Sequence, residues 1–384
     1  MRVLLAVSRH PWPPRRGDQV RALQLARLLA AHHEVTLLAP AGAGAGPPSG
    51  TPFRVETYRG GSRGAPAGVA NALARGLPLQ SGLFHHPHLG RRLRELAPRH
   101  DLVVLQLVRL AAHAGDLGST PWAVDLVDSL SLNFTCRARF DRPWLAPWWR
   151  LEARRLLAAE GRLLAAARAG LLVGERDREW LARRLPAERA ARLRVVPLVV
   201  TPPPAGPSPG EGRAGLALTG NLGYFVNADA VTWWLGRVWP LLAARRPELT
   251  VTVAGARPGR RVRRAARRPG VRLLASPPDL GAVLGSAAVA LAPLRAGSGV
   301  PVKVLEAWAA EVPVVASPWA ASGAGGCDGI DLLVADSPEG WCRAVLRLLD
   351  DPGLGRRLAA AGRARLAAEH SPQAAAEALQ RALF

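Results

Sequence analysis

The sequence predicts an α/β protein with two parallel-sheet domains. Short apolar runs alternate with amphipathic segments from residue 2 to 199, and the same alternation restarts at 215. Strands joined by helical crossovers produce this pattern. Between the two series, residues 201–212 read Thr-Pro-Pro-Pro-Ala-Gly-Pro-Ser-Pro-Gly-Glu-Gly, a Pro-rich linker. A chain of 384 residues with 49% hydrophobic and 21% charged residues is globular and long enough for two cores.

Each element has its own signal. Residues 2–8 are a continuous apolar run. A Pro/Gly loop follows, and helical periodicity runs from Asp18 to Ala31, with Asp18 placed to cap that helix. Val35-Thr36-Leu37-Leu38 is the next run, which completes a βαβ unit. The Gly/Ala stretch 41–46 reads as a loop. Further strand-like runs lie at 102–107, 122–127, 170–173 and 194–199, with a long helical stretch at about 144–168 among them. After the linker, runs at 215–219, 249–254, 271–274, 287–292, 312–316 and 331–334 alternate with amphipathic segments at 228–245, 280–286, 300–310 and 338–350. The tail 354–384 reads as two helices broken at Ser371-Pro372. Ligands of such sheets bind beyond the C-terminal ends of the strands, and two such domains form a cleft between those ends.

The net charge of +22 ordinarily points to nucleic acid or an anionic surface. Here Lys303 is the only lysine among 51 basic residues, and one Met, two Tyr and the single isoleucine Ile330 accompany 39 Gly and 34 Pro. That bias describes a GC-rich genome, so much of the arginine content is codon background. Cys136, Cys327 and Cys342 are isolated, without metal-ligand or disulfide spacing, and read as small apolar residues in a reducing cytosol. The apolar start is too short for a secretory signal, and no run approaches the roughly 18 residues of a membrane span. A cytoplasmic chain is expected.

The densest signal begins at Leu291: Leu-Ala-Pro-Leu-Arg-Ala-Gly-Ser-Gly-Val-Pro-Val-Lys-Val-Leu-Glu-Ala. It reads as strand, glycine loop, helix. Gly297 and Gly299 permit close approach of backbone to ligand. The free N–H groups of a helix starting near Val300 or Pro301 attract an anion such as phosphate. Lys303 adds a full charge one turn in. Glu306, three residues on, suits a bidentate contact to sugar or ribose hydroxyls. Together these groups predict a nucleotide-sugar site.

On these residues the sequence resembles glycosyltransferase family 4, retaining enzymes of GT-B architecture, in which two Rossmann-like domains face a central cleft. The Gly-x-Gly-x-x-x-Lys-x-x-Glu-Ala pattern at 297–307 carries the resemblance, with Pro313-Val314-Val315 after it. A second block is Thr219-Gly220-Asn221-Leu222-Gly223-Tyr224-Phe225-Val226-Asn227, and a third is Arg9-His10-Pro11-Trp12-Pro13-Pro14-Arg15-Arg16-Gly17-Asp18-Gln19-Val20-Arg21, similar to a bacterial exopolysaccharide and surface-glycan subgroup. The resemblance implies an acceptor-side domain at 1–200, the linker at 201–212, a nucleotide-sugar domain at 213–366, and a C-terminal helix at 367–384 returning to the first domain. It implies donor binding by Gly220, Asn221, Asn227, Gly297, Ser298, Gly299, Val300, Lys303 and Glu306, with Lys303 and Glu306 the catalytic pair. Gly17, Asp18, Arg21, His113, Asp125 and Asp128 fall on the acceptor side. It also implies transfer with neither metal nor cofactor beyond the donor, to a glycan, lipid-linked or small-molecule acceptor.

The sequence departs from the family in three places. Ser298 stands where its commonest form has a first glutamate. The 219–227 loop lacks the phosphate arginine, for which Arg21 and Arg295 are stand-ins. Glu311 occupies the place of a helix-ending glycine. Other readings accompany the main one. Asn221 and Asn227 also suit a turn and an N-cap, and Asp125 and Asp128 suit structural capping equally well. Trp and Arg through 142–168 suit an anionic membrane surface, with an ordinary core or interdomain helix as the competing account. His85-His86-Pro87-His88 lacks a companion carboxylate or cysteine and reads as a loop. The arginines at 260–268 lack base-stacking aromatics and read as a solvated face, so no nucleic acid is expected. The competing function is a non-catalytic protein of the same fold that binds an acidic polymer or nucleic acid.

Overall fold

A computed structural model describes residues 1–14, 16–42, 46–60, 65–74, 76–201 and 212–384. Most of the expected linker (202–211) and the centre of the Gly/Ala loop (43–45) lie outside the described residues. The chain divides into two compact units. One comprises Met1–Thr135, Pro147–Val199 and Pro372–Phe384; the other comprises Cys136–Ala146 and Val200–Ser371. Relative to the expected boundaries, residues 136–146 group with the second unit, and the returning segment starts at 372.

The first unit begins β1 (Arg2–Ala6), α1 (Gly17–Ala30), β2 (Glu34–Pro40), β3 (Arg54–Tyr58), α2 (Ala65–Ala74), α3 (Leu79–Leu83), α4 (Pro87–Leu96), β4 (Leu102–Gln106) and β5 (Trp122–Val127). It continues through α5 (Leu130–Phe140), which crosses the division at Thr135, then α6 (Ala146–Ala166), β6 (Gly170–Leu172), α7 (Glu175–Ala182), α8 (Ala187–Ala190) and β7 (Leu193–Val195). The strands form a parallel sheet in the order β3-β2-β1-β4-β5-β6-β7. β1 is apolar and buried from Val3 to Ala6 because both its faces are covered. Val3, Leu5 and Val7 join the cluster of Leu25 and Leu29 from α1, while Leu4 and Ala6 join that of Leu89 and Leu93 from α4. The two-residue period of the strand makes this partition. β3, Arg-Val-Glu-Thr-Tyr, is an edge strand whose only buried residue is Tyr58, so it sends no apolar signal.

The second unit contains β8 (Leu216–Thr219), α9 (Phe225–Arg237), α10 (Trp239–Arg245), β9 (Val251–Gly255), α11 (Arg260–Ala265), β10 (Val271–Ala275), α12 (Leu280–Gly285) and β11 (Val289–Ala292). α13 (Val302–Ala309), β12 (Val314–Ala316), α14 (Pro318–Ala324), β13 (Leu333–Val334), α15 (Pro338–Asp350) and α16 (Pro352–Glu369) follow. The last helix, α17 (Pro372–Leu383), belongs to the first unit, where Leu379 and Leu383 enter the cluster under α1. The second sheet is parallel, in the order β10-β9-β8-β11-β12-β13. The expected single helix at 228–245 is two, because Pro240 lacks the N–H an unbroken helix needs there. Trp234, Trp239 and Trp341 fill the core beneath the break.

α13 is held by what surrounds it. Trp308 is fully buried, donates to the Asp331 carbonyl at 3.0 Å, and lies so close to α16 that a Cβ on Gly362 would stand 2.1 Å from its ring. At the C-terminus, Val312 N bonds Ala307 O at 2.9 Å and Glu311 N bonds Trp308 O at 3.1 Å, the paired bonds of a Schellman ending. Glu311 is the left-handed residue of that ending, with φ 51°. Its carboxylate pairs with Arg363, and Arg213 donates to its carbonyl, which offsets a cost of about 1 kcal/mol for a non-glycine there.

Candidate functional site

The strand order of the second sheet reverses between β8 and its parallel neighbour β11, which pair at Ala217 and Ala290. Loops leaving the C-terminal ends of strands at such a point diverge and leave room for a ligand. The two sequence blocks are these loops, 220–224 after β8 and 293–301 after β11. Lys303 on α13 donates from Nζ to Asn227 Oδ1 on α9 at 2.8 Å. Asn227 Nδ2 donates to the Asn221 carbonyl at 3.0 Å, and Asn221 Oδ1 accepts Gly223 N at 3.1 Å. Asn221 is therefore the turn residue. Asn227 lies inside α9, past the Tyr224 N-cap, and its amide ties helix, loop and lysine together.

Glycines bring backbone close to this ammonium. Gly220 has φ 136°, and a Cβ there would lie 3.1 Å from Asn227 Nδ2 and 3.4 Å from Lys303 Nζ. Gly297 and Gly299 have φ of 119° and 71°, in the region that favours glycine. Gly297 is buried; Ser298, Gly299 and Val300 are half-buried. α13 has Pro301 at its N-cap, which makes no side-chain capping hydrogen bond to its amino terminus.

Lys303 is crowded by protein, and this burial pulls its pKa from 10.5 down to about 8, opposed by the charge of Glu306. By accessible surface the residue as a whole is half-buried. Burial likewise pushes Glu306 upward, with Lys303 opposing, but Glu306 is an exposed residue, and water keeps that push small. Among the described residues no carboxylate lies within 4.0 Å of the Lys303 ammonium; its partner is a neutral amide. The ammonium is therefore touched by no carboxylate among the described residues, and Glu306 acts on it only from beyond contact distance.

The stand-in arginines are both engaged. Arg295 grips Asp229 through Nε at 3.0 Å and Nη2 at 2.8 Å, with its guanidinium near the rings of Phe140 and Trp233. Arg21 is fully buried in the first unit, 3.4 Å from Asp125 and 3.0 Å from the Pro197 carbonyl. Two contributors were not legible in sequence. Arg257 is exposed, and its Cβ would stand 3.0 Å from one on Gly223; only its place just after the 249–254 run marks it. Gly255 has φ 153°, and a Cβ there would stand 1.7 Å from the Gly220 carbonyl.

In the first unit, Gly17 opens α1 and Asp18 lies in its first turn, while Arg16 is the N-cap, so the expected capping by Asp18 is not made. Asp18 instead pairs with Arg9 at 2.9 Å and Arg109 at 3.0 Å, and both guanidiniums lie over Phe84. Asp125 is buried against Arg21, with burial pushing its carboxyl upward. His113 is buried: its Nε2 accepts His86 N at 3.3 Å, so Nδ1 carries the proton toward Asp116 at 2.9 Å. Asp128 is half-buried beside Glu160, the fully buried carboxyl that accepts Ser131 N at 3.2 Å. Of the histidine run, His85 stacks on His113 at 4.8 Å; among the described residues no three His, Cys, Asp or Glu side chains gather as metal ligands. In the 260–268 run, Arg263 and Arg268 bond backbone carbonyls of their own segment.

Residues 213–351 match the family Glycosyl transferases group 1. Comparison with curated proteins finds no match. Among solved structures the chain is similar to sucrose-phosphate synthase from Thermosynechococcus elongatus, with TM-score 0.73, 17% identity, and 99% of this chain and 98% of that one covered. It is similar to HepE from Anabaena in complex with UDP, with TM-score 0.68, 14% identity and coverage of 100% and 99%. It is also similar to WaaG, a glycosyltransferase involved in lipopolysaccharide biosynthesis, with TM-score 0.66, 14% identity and coverage of 100% and 99%. Identities this low carry the fold alone. The chain thus has the GT-B fold, and residues 213–351, which hold Asn227, Lys303, Glu306 and both glycine-bearing loops, match the glycosyl transferases group 1 family.

Proposed function

We propose that this chain is a retaining, metal-independent glycosyltransferase. It moves a sugar from a nucleotide-diphosphate sugar to a glycan, lipid-linked or small-molecule acceptor in surface-polysaccharide biosynthesis, at the cytoplasmic face of the membrane. One observation carries the reading: the chain's single lysine presents an ammonium with no carboxylate partner among the described residues, held by Asn227 where two glycine loops diverge. A diphosphate supplies the missing negative charge. HepE has been captured with UDP and with UDP-glucose, which supports this donor class, and the role of WaaG supports the glycan setting.

The chemistry follows from where charge develops. As the bond from the anomeric carbon to the diphosphate breaks, negative charge grows on the leaving oxygen. Lys303 and the uncapped N–H groups of α13 are already oriented to stabilise it, so little reorganisation is needed. The acceptor oxygen bonds the anomeric carbon on the face the diphosphate leaves, and its proton passes to a phosphate oxygen. Glu306 accepts hydrogen bonds from sugar or ribose hydroxyls. At the membrane, the arginine- and tryptophan-bearing face of α6 meets anionic lipid.

Calorimetry with a panel of UDP- and GDP-sugars tests the donor. At least one binds the native chain and none binds Lys303→Ala. Failure of every nucleotide sugar, together with salt-dependent binding of DNA or an acidic glycan, would replace the enzyme with a polymer-binding protein.

A further inference from the structure

A cavity of about 180 Å³ opens on the first unit. It is lined by Leu77, Ser81, Ala112, Trp122, Ala166 and Arg162, among others. Its size excludes a nucleotide sugar, since pockets for such ligands run from roughly 300 Å³ upward. Its lining suits a stretch of aliphatic chain. Two groups make it more than a dimple. Ser81 is 3% exposed, and its hydroxyl has no partner among the described residues. Arg162 is exposed and makes no ion pair with them.

The helix beside the cavity supplies the second observation. On α6, Trp148, Arg155, Ala159, Arg162 and Ala166 recur at helical spacing and share one stripe, about 21 Å long from Trp148 to Arg162. Leu151 and Arg154 flank it and are exposed, as Trp148 is at 37%. The only acids of α6 are turned inward. Glu152 is 2% exposed and accepts Leu79 N at 2.7 Å, which clasps α3 to α6; Glu160 is fully buried. Ala159 is buried and Arg155 half-buried beside Glu152, whereas Trp148, Arg150, Leu151, Arg154 and Arg162 are exposed, so the exposed residues of α6 are cationic and apolar with no acid of the helix among them, complementary to an anionic bilayer.

We infer that this groove receives the end of an acyl chain from an anionic phospholipid of the membrane, with Arg162 on the lipid phosphate and the Ser81 hydroxyl inside. The inference rests on the membrane docking proposed above and narrows it from a charged face to one built lipid site.

Two measurements separate the site from the docking. The first is calorimetry of the full chain with n-decyl phosphate below its micelle concentration, beside inorganic phosphate. Decyl phosphate binds and inorganic phosphate does not. Ala112→Phe and Ala166→Phe, both at exposed positions, each block the groove and abolish binding, and Arg162→Ala weakens it about fivefold, the loss of one charge at an anionic group. The second is partition of the chain onto phosphatidylglycerol vesicles carrying brominated acyl chains. Tryptophan emission is quenched, and Trp122→Phe or Ala166→Phe removes part of that quenching. If the chain binds these vesicles while Ala112→Phe and Ala166→Phe change neither decyl phosphate binding nor quenching, the groove inference is overturned and the docking face stands. If no vesicle binding occurs, the docking face falls, and the groove falls with it as a membrane-lipid site.

Discussion

Lys303 makes the affinity for a nucleotide sugar depend on pH in a defined direction. In the free protein, burial lowers its pKa from 10.5 to about 8. The folded state therefore gives up this proton before the unfolded chain does. Its charge costs stability below about pH 8, and the cost is relieved as pH rises toward 10.5. A bound diphosphate restores the ammonium's preference for its proton. If the full shift is recovered, affinity is nearly constant below pH 7 and falls about tenfold between pH 7 and 9, or about 1.4 kcal/mol. The residue is half-buried rather than fully buried, which makes this an upper figure, so the expected fall is about three- to tenfold. Binding at pH 8 should also take up about half a proton. The assay is calorimetry with the donor that binds, at pH 7, 8 and 9, in buffers of different ionisation heat. The diphosphate of a nucleotide sugar keeps its charge over this range, and comparison with Lys303→Ala separates the lysine from the base N–H, which begins to ionise at the alkaline end. Equal affinity at pH 7 and 9 with no proton uptake would refute the placement of Lys303 on the diphosphate. So would the same pH dependence persisting in Lys303→Ala.

Three further outcomes follow from the structure. Lys303→Arg keeps the fold and loses most transferase activity, because a planar guanidinium cannot occupy the confined place of an ammonium between Asn227 and Gly220; equal circular dichroism with retained turnover would contradict this. Gly255→Ala puts a Cβ 1.7 Å from the Gly220 carbonyl, so it should cost about 1–3 kcal/mol in denaturant unfolding and weaken donor binding by displacing the Asn221 turn. Glu160 is raised by burial from 4.5 to about 8, so the folded state holds its proton longer and stability falls as pH rises through that window. Glu160→Gln should therefore raise Tm by at least about 3 °C at pH 8 and by little at pH 4.5, read by thermal unfolding at both values.

Much of the second unit was legible in sequence because its signals are local. The run at 287–292, the glycines at 297 and 299 and the helix after them lie within one stretch of chain, and the structure returns them as β11, loop and α13. The place of Glu311 was marked in the same way, as one where a helix-ending glycine usually falls, but that a glutamate would take the left-handed conformation there, at φ 51°, was shown only by the structure. β3 was not legible, since an edge strand with one buried residue has no apolar alternation to read. Residues 136–146 could not be assigned by pattern either. Cys136, whose thiol lies 4.0 Å from the Gly297 carbonyl, sits on a helix that starts in the other unit.

The sequence by itself determined the α/β class, the order of the apolar strands, and the place of the glycine loop with its lysine, because each depends on residues a few positions apart. Only the tertiary structure decided which charges are free. Arg295 and Lys303 both follow β11, yet Arg295 is neutralised by Asp229, 66 residues away in the chain, while Lys303 bonds the neutral amide of Asn227, 76 residues away. Arg21 is likewise committed to Asp125 across 104 residues. Charge is written in the sequence, but its availability is a sum over neighbours in space, and those neighbours are assembled only when the sheets form.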